Sequence, residues 1–357
     1  MVVSSLSKGG AERSAALISI MLSDLGYDVH IVSVLNHIDY VFKGTLLNLG
    51  LLKDEDDSFF GRITRFKAFK NYLKTHNFNV IIDSRSRPNA IKELLIQRLI
   101  YKKQKVVYII HSYKTSTYLP NKKWFYRLFF NKLSKVITVS NAIKIKIEEF
   151  YNIQNVTTIY NAVDNENNVA KAKAKIDIDY KYILFYGRLI DEIKNISLLI
   201  NAYRNSKLNS KNIKLIILGN GVDELVLKQK VRFYELEEFV KFIPYTHNPF
   251  PYIKHATFTV LTSRYEGFPM VIPEALSLET PVISVDCLSG PNEVIVNKKN
   301  GLLVENYNEK ALTEAMNSFI FDEELYDTCK KNAKASVEKF SLKNIAEDWE
   351  TLLNEIN

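Results

Sequence analysis

Cysteine is nearly absent. Cys287 and Cys329 are the only two in 357 residues, too few for a disulfide scaffold or a zinc site and compatible with a reducing cytoplasm. Both read as ordinary buried thiols. No run of ~18 uncharged apolar residues is present, so no segment reads as a membrane span. The opening Met1-Val2-Val3-Ser4-Ser5-Leu6 has neither the basic region nor the long apolar stretch of a signal peptide. There is no short repeat to argue for a solenoid. A G-x-G-x-x-G with an acidic residue ~20 positions later is also missing, which argues against a nicotinamide-dependent epimerase or dehydrogenase. No Asp-x-Asp and no His/Cys cluster is placed like a metal site, so no metal and no other cofactor is expected.

What is there is enough for two cores. At 357 residues, 46% of them hydrophobic, the chain exceeds what one core usually covers. Lys and Arg outnumber Asp and Glu by 48 to 40, which suits a polyanionic partner: nucleic acid, an acidic membrane surface or a nucleotide diphosphate. A short strand at Val2–Leu6 leads through Gly9-Gly10 into helical spacing at Leu17, Ile18, Met21, Leu22 and Leu25. Further β-rich runs at 29–34, 80–83, 106–110, 136–139 and 156–159 alternate with helical sequence. Between Asn161 and Asp179 the pattern gives way to a polar stretch that reads as a linker. Alternation restarts at 182–186, 215–218, 240–243, 258–261 and 282–285. The expectation is an α/β protein of two Rossmann-like domains with a cleft between them, spanning 1–165 and 176–340. A capped amphipathic helix at 341–357, with Ile345, Trp349, Leu352 and Leu353 on one face, is expected to pack back on the first domain.

Several strand ends carry chemistry, because ligands of such sheets bind at the carboxyl ends of the strands. Gly9-Gly10 sits where a strand turns into a helix and leaves backbone N–H groups open to an anion, although a glycine pair is also an ordinary tight turn. Tyr186-Gly187-Arg188 and Lys194-Asn195 bring two cations near one strand end, a fit for a diphosphate whose charge grows as it leaves; alone, either cation would read as a solvated surface group. Glu266-Gly267-Phe268-Pro269 and Glu274 form a Glu-x7-Glu arrangement, one carboxylate for sugar hydroxyls and one for a ribose. Leu218-Gly219-Asn220-Gly221 lets backbone approach a nucleotide or simply makes a turn. His111 follows the strand 106–110 at its carboxyl end, where an active-site role outweighs a structural one.

Taken in order, Gly9-Gly10-Ala11-Glu12-Arg13, Ile110-His111, Val139-Ser140, Tyr160-Asn161-Ala162-Val163-Asp164, Gly187-Arg188-Leu189 with Lys194-Asn195, and Glu266-Gly267-Phe268-Pro269 with Glu274-Ala275 resemble the retaining GT-B glycosyltransferases of family four. The likeness runs over essentially the whole chain and is nearest to the bacterial branch that builds lipid-linked oligosaccharides, O-antigens and capsules, including N-acetylgalactosaminyltransferases of polyprenyl diphosphate glycans. It implies that Arg188 and Lys194 hold the donor diphosphate, Glu274 the ribose and Glu266 the donor sugar. It also implies that Gly267, Phe268 and Pro269 offer backbone, that Gly10 closes over the diphosphate, and that His111 stands near the anomeric carbon. Asn161, Gly187, Gly219 and Tyr245 join the donor-binding set, Tyr245 at the base. Where the family has a histidine–aspartate pair this chain has His111-Ser112, and it begins almost inside its first strand.

The resemblance further implies retention of configuration without a metal, a nucleotide-sugar donor, most simply a UDP-linked N-acetylhexosamine or hexose with GDP-mannose as the alternative, and a glycan acceptor, lipid-linked. Lys122–Phe130, and Arg62, Arg65, Lys67, Lys70 and Lys74 among Phe59, Phe60, Phe66 and Phe69, mix bases with aromatics and suit an anionic membrane surface as well as ordinary amphipathic helices. A cytoplasmic protein, peripheral on the inner face of the membrane, is expected. A non-enzymatic nucleic-acid binder would explain the basic charge but leaves the Glu-x7-Glu loop without a task. Acceptor choice falls to the loops Asp83–Asn89 and Tyr113–Asn121.

Overall fold

The computed structural model describes residues 1–102, 104–119 and 134–356; Lys122–Phe130 lies outside them. The chain divides into two compact units, Met1–Ala162 with Leu342–Asn357, and Val163–Ser341.

The first unit is built on seven parallel strands: β1 (Val2–Val3), β2 (His30–Ser33), β3 (Thr45–Asn48), β4 (Val80–Asp83), β5 (Lys105–Ile110), β6 (Ser134–Thr138) and β7 (Val156–Thr158), in the order β3-β2-β1-β4-β5-β6-β7. Val2 registers with Val32 on one side and Asp83 on the other, so the strand order reverses at β1, the place where a doubly wound sheet opens a crevice. The strands form where β-branched runs can be buried on both faces; Val106, Val107, Ile109 and Ile110 of β5 are all buried. Helix ends follow local chemistry. Ser58 accepts from the Gly61 amide and Asn77 closes the helix Phe59–His76 in the left-handed conformation, as Ser140 and Asn152 do for Asn141–Tyr151. The helix Leu342–Ile356 buries Ile345, Trp349, Leu352 and Leu353 and packs on the helix Gly10–Asp24.

The second unit holds β8 (Tyr182–Tyr186), β9 (Lys214–Leu218), β10 (Val240–Ile243), β11 (Thr259–Leu261), β12 (Val282–Val285) and β13 (Gly301–Val304), parallel, in the order β10-β9-β8-β11-β12-β13. Both sheets are thus Rossmann-like. Sequence reading misses β3 and β13, edge strands of four residues; β3 is half-exposed and β13 opens on a glycine, so neither carries a long apolar run. The stretch read as a linker contains a helix, Asn165–Lys171, capped by Asp164 accepting from the Asn167 amide. Its polar composition hides a good N-cap and the buried Asn168.

Candidate functional site

In the second unit, three strand ends build one constellation. Lys194 closes a single helical turn after β8, and its ammonium lies 2.6 Å from Glu266 Oε1. The turn after β11 holds both partners. Thr262 Oγ1 donates to the Lys194 carbonyl at 2.9 Å, the Arg264 amide to the Ile193 carbonyl at 2.8 Å, and the Arg264 guanidinium to Asn195 Oδ1 at 3.1 Å. Ser263 Oγ donates to the same Glu266 oxygen at 2.6 Å. Both side-chain bonds of Glu266 among the described residues fall on Oε1, which leaves Oε2 for a ligand hydroxyl. Thr262 and Ser263 are fully buried, so the ion pair stands on a rigid base.

Glu274, on the helix Val271–Ser277, is 3% exposed. The Tyr186 hydroxyl donates to the Val271 carbonyl at 2.9 Å and lies 3.2 Å from Glu274 Oε2, joining the end of β8 to that carboxylate. Gly187 and Gly219 lie against each other at the ends of β8 and β9. Gly219 has φ +144°, and a Cβ there would sit 1.9 Å from the Gly187 carbonyl oxygen, so only glycine fits. The Tyr245 amide donates to Asn220 Oδ1 at 2.9 Å and its ring packs edge-on against His247. Phe268 is buried against Phe340, so this residue offers backbone rather than its ring. Gly267 receives the Ser289 hydroxyl on its carbonyl at 2.7 Å, and Pro269 packs against Gly290. Arg188 is exposed, and the pairing of Lys194 falls on Glu266.

The first unit carries His111 directly after β5. Its Nε2 lies 2.8 Å from Ser84 Oγ, the residue after β4, and Nδ1 is buried without a protein partner among the described residues. Burial, with the nearby Arg87 guanidinium, lowers its pKa to about 3, so the imidazole is neutral near pH 7. Gly10 begins the helix Gly10–Asp24 behind Gly9. Asn161 is buried, and its Oδ1 accepts from Ser14 on that helix at 2.7 Å, an anchor more than a ligand-facing group. Beneath His111 lies a buried charge network that sequence reading does not find. Asp83 receives Arg85 at 2.6 Å and the Tyr101 hydroxyl at 2.7 Å, and Arg85 also reaches Glu93 at 2.9 Å. Burial pushes the Asp83 carboxyl up, but Arg85 and Arg87 outweigh it and hold it below its usual range. Arg87 bonds the Arg85 and Tyr118 carbonyls at 2.9 and 3.2 Å, fixing the loop expected to meet an acceptor. Alternating Arg in Asp83-Ser84-Arg85-Ser86-Arg87 was the available signal, but a charge run there reads equally as a solvated loop. Among the described residues no three His, Cys, Asp or Glu side chains gather as a metal site.

Two Rossmann-like units with these strand ends define the GT-B class of fold. Solved structures agree: a glycosyltransferase from Rickettsia africae matches with a TM-score of 0.78 at 19% identity, over 99% of this chain and 97% of that one. Anabaena HepE in complex with UDP matches with a TM-score of 0.76 at 17% identity, over 99% and 98%. The model of Glycosyltransferase Family 4 matches residues 8–167, and that of Glycosyl transferases group 1 matches residues 166–336. The chain belongs to the family-four glycosyltransferases. Among its relatives, the N-acetylgalactosamine-N,N'-diacetylbacillosaminyl-diphospho-undecaprenol 4-alpha-N-acetylgalactosaminyltransferase of Campylobacter jejuni is 29% identical over 96% of each chain. The amylovoran biosynthesis glycosyltransferase AmsD of Erwinia amylovora is 26% identical over 97% of this chain and 96% of its own.

Proposed function

We propose that the protein is a retaining, metal-independent glycosyltransferase that moves an N-acetylhexosamine or hexose from a UDP-sugar to a lipid-linked glycan in bacterial surface-polysaccharide synthesis. The observation that carries this is the Lys194–Glu266 pair at 2.6 Å beside the Glu274–Tyr186 contact: a cation, a carboxylate with one open oxygen and a buried carboxylate, all at strand ends of one sheet. Glu274 accepts both ribose hydroxyls, and Glu266 Oε2 accepts from the donor sugar. Lys194, whose ammonium keeps donors beyond the one given to Glu266, and Arg188 stabilise the diphosphate as the bond from the anomeric carbon to phosphate oxygen breaks. The acceptor oxygen bonds the same face of that carbon, and its proton passes to the departing phosphate oxygen. Neutral His111 contributes a hydrogen bond rather than a proton. The named activity of the Campylobacter jejuni relative and the UDP held by HepE both support a UDP-sugar over GDP-mannose. A lipid-linked acceptor puts the reaction at the cytoplasmic face of the membrane.

Thermal shift against UDP, GDP and ADP tests the donor site, since a ligand bound only to the native state raises Tm as RT ln(1 + [L]/Kd). UDP is expected to stabilise the wild type and to lose that effect in Lys194→Ala and Glu274→Ala. No stabilisation by any of the three nucleotides would sink the proposal, and a response to GDP alone would move it to GDP-mannose. Transfer should also be insensitive to a divalent-metal chelator.

A further inference from the structure

The two ring nitrogens of His111 are unequally placed. Nε2 lies 2.8 Å from Ser84 Oγ, while Nδ1 is buried with no partner among the described residues. Burial, and then the charge of Arg87, lowers the pKa of the ring to about 3, so near pH 7 it carries a single proton. Which nitrogen of a neutral imidazole holds that proton is set by the bond the other one makes. What Nδ1 can offer is therefore decided at Ser84.

Ser84 is held on a fixed path. It is 7% exposed, and its amide donates to the Val2 carbonyl at 2.9 Å where β4 meets β1. The Arg87 guanidinium donates to the carbonyls of Asp83 and Arg85, the residues on either side, at 3.3 and 2.9 Å. The Arg85 amide closes the turn on Asp83 Oδ1 at 3.1 Å, and the Tyr101 hydroxyl holds that buried carboxylate from beneath at 2.7 Å. The charge network under this loop thus ends in one placed hydroxyl. The buried Tyr118 ring, 6.2 Å from the imidazole, belongs to the same assembly, because Arg87 also donates to its carbonyl at 3.2 Å.

The direction of the Ser84–His111 bond follows from counting. Among the described residues Nε2 is the one group that the Ser84 hydroxyl meets. If Nε2–H donated to Oγ, both the hydroxyl proton and the Nδ1 lone pair would go without a partner. If Oγ–H donates to Nε2, a single bond is unmade, that of Nδ1–H. The second arrangement leaves fewer buried polar groups unsatisfied. It also leaves a buried donor that meets no protein atom, the kind of group a ligand oxygen completes.

We propose that Ser84 is the positioning residue of His111: its hydroxyl donates to Nε2, fixes the Nδ1–H tautomer and makes the imidazole a hydrogen-bond donor to a substrate oxygen. The tautomer stands on the first unit's own residues; that the oxygen belongs to a substrate rests on the transferase reading above. The test is long-range proton–nitrogen correlation spectroscopy of the histidine-labelled full chain near pH 7, with His111→Gln identifying the signals of this ring. In the wild type Nδ1 should appear protonated and Nε2 unprotonated. Ser84→Ala should move the ring toward the Nε2–H form, and Ser84→Thr, which keeps the hydroxyl, should hold it as Nδ1–H. In UDP release from UDP-N-acetylgalactosamine or UDP-N-acetylglucosamine, Ser84→Ala should lower kcat/KM about ten-fold, the worth of one hydrogen bond, with the UDP Kd near wild type and Ser84→Thr close to normal. A wild-type ring protonated at Nε2 overturns the proposal. So does an Nδ1–H form that survives in Ser84→Ala, and so does a change of tautomer that leaves the rate untouched. The spectra are recorded without substrate, so their failure leaves the transferase reading intact; the expected spectra from a chain that transfers no sugar would overturn that reading and the substrate oxygen with it, while the tautomer stands.

Discussion

Glu266 takes the Lys194 ammonium and the Ser263 hydroxyl on the same oxygen, both at 2.6 Å, so its orientation depends on a buried serine. Ser263→Ala should lower kcat/KM about ten-fold through loss of a charge-assisted bond while leaving the UDP Kd near wild type, and Ser263→Thr should restore activity. An equal loss of nucleotide binding would show that the residue supports the fold rather than the carboxylate. His111 has a pH signature. Its folded pKa of about 3 lies below the unfolded value of 6.5, so the unfolded chain takes up a proton first as the pH falls. The stability it supports is complete above pH ~6.5 and is lost progressively toward the folded value. Between pH 7 and pH 5 the wild type should lose about 2 kcal/mol more than His111→Gln in denaturant titrations; parallel losses would place the imidazole in water. At this scale the sequence showed which residue types lay at strand ends but not their partners. Lys194 and Glu266 were legible as a cation and a carboxylate 72 positions apart, whereas Ser263 and the Asp83–Arg85–Tyr101 network needed three-dimensional neighbours, because a hydroxyl or an arginine has no spacing rule that announces what it bonds.

The elements were more legible than their edges. Central strands such as β8 and β12 appear as unbroken apolar runs because both faces are buried, while β3 and β13 do not, and a polar helix with a good cap looked like a linker. Gly219 shows where element ends demand a residue type. An alanine there would place Cβ 1.9 Å from the Gly187 carbonyl oxygen at φ +144°, and Gly219→Ala should destabilise the second unit by about 2–3 kcal/mol. Gly26→Ala, also at positive φ but with nothing within 4 Å of its added Cβ, isolates the backbone contribution and should cost about 1 kcal/mol. Equal costs would mean that β8 and β9 can separate at that point. In the helix Leu342–Ile356, Trp349 is 2% exposed, and Trp349→Ala should cost the first unit about 3–5 kcal/mol.

At the scale of the whole molecule, the proposed nucleotide-binding groups lie in Val163–Ser341 and His111 lies in the other unit. Calorimetry should therefore show UDP raising the transition of the second unit, while Trp349→Ala lowers that of the first. A single transition that both changes move together would show that the units unfold as one. The two-unit plan was readable from the restart of strand–helix alternation, whereas the share of the last helix in the first unit rested on one amphipathic face.

That helix also sets an order of events in the cell. The first unit leaves the ribosome first, yet the helix Leu342–Ile356 that packs on its helix Gly10–Asp24 is encoded after the whole second unit. At about 5–20 residues per second, translation of the intervening unit takes on the order of ten seconds or more. Throughout that interval the nascent first unit has an open seam, a surface that a ribosome-associated chaperone would meet before the chain's own closing helix arrives.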